Sequence, residues 1–141
     1  MKKFTTIAAI LLASLAITGR ASAQDHAVKA DIPFGFYVGN TWAPPGTYIV
    51  SSDAANRDMI TLRSAQSKLA LMSIGNDADN ASHKSALVFT KYGEQYFLHE
   101  VLSSTTAMNV ELGKSKREKH ASETREQANA GTPTNIYLAL R

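Results

Sequence analysis

Short alternating apolar runs, cut every few residues by turn formers, fill residues 28–112, and this pattern confines the chain to a β architecture. Val28, Ala30 and Ile32 alternate with Lys29 and Asp31. Phe34, Phe36 and Val38 follow Pro33, and Gly39-Asn40 marks a turn. Pro44-Pro45-Gly46 sets a rigid turn before Tyr48 and Val50. Further runs cover 59–62, 69–74, 87–89, 96–102 and 107–112, with an Asx-rich loop expected over 75–83. The expected fold is mainly β: a small antiparallel sandwich or barrel of about seven or eight short strands.

The first 23 residues have the composition of an export signal. Lys2 and Lys3 form a basic start, an uncharged, mostly apolar run extends over 4–18, and Ala21-Ser22-Ala23 offers the small residues a signal peptidase requires. The run is shorter than the roughly 20 residues of a spanning helix. Cleavage would leave a chain beginning at Gln24, 141 less 23 or 118 residues long, bound for the periplasm or the extracellular space. Fifteen Lys and Arg stand against twelve Asp and Glu, and Lys2, Lys3 and Arg20 leave with the signal, so the mature chain balances at twelve against twelve. A nucleic-acid binder keeps a basic excess, which argues against that function. There is no cysteine, which removes disulfides, thiol catalysis and thiolate metal sites. The remaining length supports one domain with its own core.

The tail, residues 113–141, differs in character from the β domain expected over 24–112. Ser115-Lys116-Arg117-Glu118 reads as a capping box, in which the serine hydroxyl meets the Glu118 N–H and the carboxylate returns to the Ser115 N–H. Gly131 and Pro133 supply a stop. A C-terminal surface helix is expected over 116–130, with Ala121, Ala128 and Ala130 as its apolar content. Residues 135–140, NIYLAL, are apolar enough to pack on the β domain or rejoin the sheet.

Four segments, IPFGFYVGN with APPGTYIV, then LVFTKYGEQYFLHEV, then ELGKSKRE, resemble a group of small exported bacterial proteins. That group shares an Ile-Pro-Phe…Val-Gly opening, a Pro-Xaa-Gly-Xaa-Tyr turn, a Tyr-Gly-Xaa-Xaa-Tyr-Phe-Leu hairpin and a Lys-Ser-Xaa-Arg-Glu helix start. Pro45 stands where the group's pattern has a small residue, and Gly113 where it has proline. The resemblance implies export and a mainly β fold, and it brings no functional residue with it.

The stretch KYGEQYFLHE at 91–100 comes nearest to looking catalytic. His99-Glu100 lacks the second histidine of a zinc-protease helix, since position 103 is serine. A hairpin through Tyr92-Gly93-Glu94-Gln95 explains the stretch better, with glycine taking a positive φ. Strand alternation sends Phe97, His99 and Val101 to one face and Tyr96, Leu98, Glu100 and Leu102 to the other, so Glu94, His99 and Glu100 form only a weak polar site. No metal site is expected: DADN at 77–80 fails as a calcium loop at Ala81, and His26, His83 and His120 are scattered. No cofactor fingerprint is present.

Two sets of residues carry the binding expectations. Trp42 and Tyr92 fall in turns and are expected to be exposed. Lys114, Lys116, Arg117 and Lys119 crowd the start of the helix, where the macrodipole disfavours cations by about 0.3–1 kcal/mol each. Contact with something anionic would offset that cost. The sequence therefore points to an exported, non-enzymatic β domain acting through an envelope or extracellular component, with no membrane span after cleavage. The alternatives are a small-ligand carrier with an apolar cavity, and a small hydrolase built on His99 with Glu94 or Glu100.

Overall fold

Alternation in the first strand, β1 (Ala27–Ile32), buries Val28, Ala30 and Ile32 and leaves the residues between them in solvent. A computed structural model describes residues 27–53, 55–78, 85–106, 108–128 and 130–141. The signal segment 1–23, the start at Gln24, His26, His83 and positions 79–81 of the calcium-like stretch lie outside the described residues. The strands that follow are β2 (Phe36–Val38), β3 (Thr41–Ala43), β4 (Gly46–Ser52), β5 (Met59–Ser64), β6 (Ala70–Asp77), β7 (Ala86–Tyr92), β8 (Gln95–Ser103) and β9 (Met108–Leu112). Helix α1 (Lys116–Gln127) and strand β10 (Thr134–Ala139) complete the chain. Among the described residues no helix is long and apolar enough to cross a membrane.

The strands form one mainly β domain on a ten-stranded sheet, ordered β1-β4-β5-β6-β9-β8-β2-β3, with β7 on the other edge of β8 and β10 beyond it. Neighbours pair antiparallel, except β2 beside β8 at Tyr37 and Phe97. The sheet is open and not a barrel; its ends approach where the Lys29 and Arg141 backbones exchange two hydrogen bonds of 3.0 and 2.9 Å. More strands appear than the pattern predicts, because three-residue β2 and β3 form their own hairpin and residues 134–139 rejoin the sheet beside β7.

A sandwich-like core goes with one change of strand partner. Strand β6 pairs with β5 up to Ile74 and with β9 from Gly75 onward. Gly75 therefore lies inside a strand, not in the loop expected over 75–83. A Cβ at that position would overlap the Glu111 carbonyl oxygen, so glycine is the residue that lets the two strands meet. The two parts of the sheet that β6 joins share one core, in which Phe36 meets Tyr48 edge-on at 5.2 Å and Phe89 at 5.4 Å. Burial of side chains of this size contributes about 1.5–3 kcal/mol each. The Pro44-to-Tyr48 turn is pinned from within, since the buried Tyr48 hydroxyl donates to the Pro44 carbonyl at 2.7 Å. Strand β7 is buried on both faces from Ala86 to Thr90, and α1 lies beside it.

Candidate functional site

The β7–β8 hairpin turns through Gly93-Glu94, with Tyr92 paired to Gln95 and Gly93 at φ 62°. The hairpin lies where the sequence predicts it, with the strands running one residue further on each side, so that two residues and not four form the turn. Further along, the ladder slips: Val88 pairs with Glu100 but Phe89 pairs with Leu98. His99 is the extra residue of a bulge, and a bulge re-aims the side chains on either side of it. The expected separation of His99 and Glu100 onto opposite faces is thereby overturned. His99 Nε2 lies 3.6 Å from Glu100 Oε1 and 3.8 Å from Glu111 Oε1, the latter on β9 opposite Glu100. These separations are within ion-pair range once the imidazole is protonated, but they are too long for hydrogen bonds.

Helix α1 brings a third carboxylate to this place. Ser115 is its N-cap and accepts the Glu118 N–H at 3.1 Å, as the capping box predicts. Asn40, from the β2–β3 turn, accepts the Arg117 N–H at 3.2 Å and so ties the helix start to the sheet. The return bond from Ser115 N–H to the carboxylate is absent among the described residues. Glu118 is instead 3% exposed, and its Oε1 has no hydrogen-bond partner among them. Burial pushes its carboxyl above the usual range, while His99, Lys114 and the Tyr92 hydroxyl favour the ionised form. Lys114 is held above the ordinary lysine value chiefly by the Tyr92 hydroxyl, and its Nζ lies 5.8 Å from the Tyr92 ring centroid.

Between the 92–95 turn and α1 runs an open groove of about 460 Å³. Arg117, His120, Ala121, Thr124, Arg125 and Ala128 form its helical wall, and Tyr92, Gly93 and Glu94 stand opposite. The Arg117 guanidinium lies over Tyr37 at 4.8 Å from the ring centroid, and Tyr37 stacks in turn on Phe97 at 5.1 Å. Arg125 donates to the carbonyls of Gly131 and Thr132 at 3.1 and 3.0 Å, which fixes the turn after the helix.

The structure thus sorts the predicted residues into two places and a remainder. Tyr92, Lys114, His99 and Glu100 gather with Glu111 and Glu118, while Glu94 and Arg117 face each other across the groove. Trp42 is 54% exposed, its indole lying over Gly35. Tyr92 is 5% exposed, against the expectation of an exposed turn aromatic, because it ends β7 and packs its ring against Phe97 at 5.8 Å. Lys116 and Lys119 are exposed on α1 and, with Lys114 and Arg117, make no ion pair among the described residues. Glu111 and Glu118 escaped the sequence reading; for Glu118 the one signal was a capping glutamate on a helix with only alanines to bury. Among the described residues no group of three acidic or histidine side chains could hold a metal ion. No family model, curated protein or solved structure matches this chain.

Proposed function

We propose that the protein is an exported, non-enzymatic β domain that works by surface contact with an anionic envelope or extracellular component. The observation that carries this reading is the exposed run Lys114, Lys116, Arg117 and Lys119 at the start of α1, none of which makes an ion pair among the described residues. Lys116, Arg117 and Lys119 lie in the first helical turn and Lys114 just before the cap, at the positive end of the helix dipole, where their charges oppose helix formation. An anionic surface would turn that cost into attraction. A hydrolase built on His99 with Glu94 or Glu100 has less support, because the imidazole lies 3.6 Å from Glu100, beyond hydrogen-bond distance, and makes no ion pair with Glu94 among the described residues.

The test is retention of the mature protein on phosphatidylglycerol vesicles. Retention is expected at low salt, with release as salt rises, and none on phosphatidylcholine. The variant with Lys114, Lys116, Arg117 and Lys119 all changed to Gln should lose it. Unchanged retention by that variant sinks the proposal.

A further inference from the structure

We propose that the groove between the 92–95 turn and α1 binds a small molecule carrying one carboxylate on an apolar body. This goes beyond contact with an anionic surface, since it requires an apolar body lying in the groove as well as a charge. Positions 117, 120, 121, 124, 125 and 128 form one stripe of the helix, the stripe that faces the hairpin. In a helix packed for stability that stripe carries large apolar side chains. Here it carries alanine methyls between polar residues, and the facing wall includes a glycine. The result is a gap of about 460 Å³, in the range of small-ligand sites.

Arg117 gives the gap its polarity. Its guanidinium lies over the Tyr37 ring, 4.8 Å from the centroid, and this contact with the ring leaves N–H groups to fork onto a carboxylate. No carboxylate lies within ion-pair distance of it among the described residues. His120 stands beside it on the same wall. Arg125 offers less, because its guanidinium already serves two carbonyls. Glu94 on the opposite wall opposes a second negative charge, so the site favours a monoanion. The methyls of Ala121 and Ala128 on the helical wall and of Ala130 beyond it give an alkyl or aryl body apolar surface to cover.

Octanoate is the probe, with octanamide as its neutral counterpart, each titrated into the mature protein and followed by backbone amide NMR shifts. Saturable shifts confined to 92–95 and 117–128 are expected with octanoate, and at least tenfold weaker binding with octanamide or after Arg117→Gln. Ala121→Leu and Ala128→Leu fill the groove without altering charge; each should abolish octanoate binding yet leave retention on anionic vesicles intact. Lys116→Gln with Lys119→Gln should do the reverse. Equal binding of octanamide, shifts scattered over the surface, or undiminished binding by both leucine variants would overturn the site while leaving the surface-contact reading standing.

Discussion

His99 Nε2 lies 3.6 Å from Glu100 Oε1, although consecutive strand residues ordinarily send their side chains to opposite faces. The bulge at His99 is the cause, and its consequence reaches the helix. With Glu111 across the ladder and Glu118 brought in from α1, one imidazole is surrounded by carboxylates on three elements. Only Glu118 is buried, so it bears the desolvation cost of holding the helix against the hairpin.

That cost has a pH signature. The Glu118 carboxyl is raised by burial above the ordinary value of 4.5, with His99, Lys114 and Tyr92 offsetting part of the effect. Between the unfolded and the raised folded value, the folded chain keeps a proton that the unfolded chain has released. The stability associated with this group is therefore complete below pH about 4.5 and declines as pH rises through the folded value. Glu118→Gln should remove this decline, so the variant's advantage over the parent grows with pH across that interval. Urea unfolding midpoints taken in steps from pH 4 to 8 measure it. A constant difference between the two proteins would mean that the buried carboxylate is not strained by burial.

A second expectation concerns the change of partner in β6. Gly75→Ala places a methyl group against the Glu111 carbonyl and the Val110 side chain, and backbone cannot move aside as a side-chain tip can. Overpacking of this kind costs about 1–3 kcal/mol where side chains give way, and more where they cannot. The variant should lose at least about 3 kcal/mol in denaturant unfolding, or fail to accumulate as folded protein. A melting temperature within a degree or two of the parent would show that β6 does not need glycine to change partners.

Local chemistry made some of these elements readable and non-local chemistry hid the rest. The turn at Gly93 and the cap at Ser115 depend on residues within three positions, so their signals sit side by side in the chain. The bulge at His99 does not, because β8 is covered on both faces there. Phe97 and Leu98 are both buried, as are Val101 and Leu102, and a strand apolar on both sides conceals a one-residue change of phase. Gly75 looked like the start of a loop because its reason lies on β9. Glu118 reads as a cap because two of the groups that act on its carboxyl, His99 and the Tyr92 hydroxyl, come from the β7–β8 hairpin, distant in the chain. The candidate site was legible as a list of residues, and its grouping needed the fold.

The helix start offers the last expectation, since two side chains from different parts of the chain satisfy adjacent N–H groups. Ser115 serves Glu118 locally, whereas Asn40 reaches Arg117 from the β2–β3 turn. Replacing either with alanine should cost about 0.5–2 kcal/mol. Their local effects should differ. Ser115→Ala frays the first helical turn alone, while Asn40→Ala should speed amide exchange both in that turn and at Gly39–Thr41, because it cuts the bond between them. Asn40→Asp keeps the acceptor and adds a negative charge at the positive helix end, so it should match or exceed the parent by about 0.3–1 kcal/mol at low salt. Hydrogen exchange read residue by residue decides the matter. If Asn40→Ala leaves exchange in α1 unchanged, the turn does not hold the helix, and the stacking of Arg117 on Tyr37 must position that end of the groove without it.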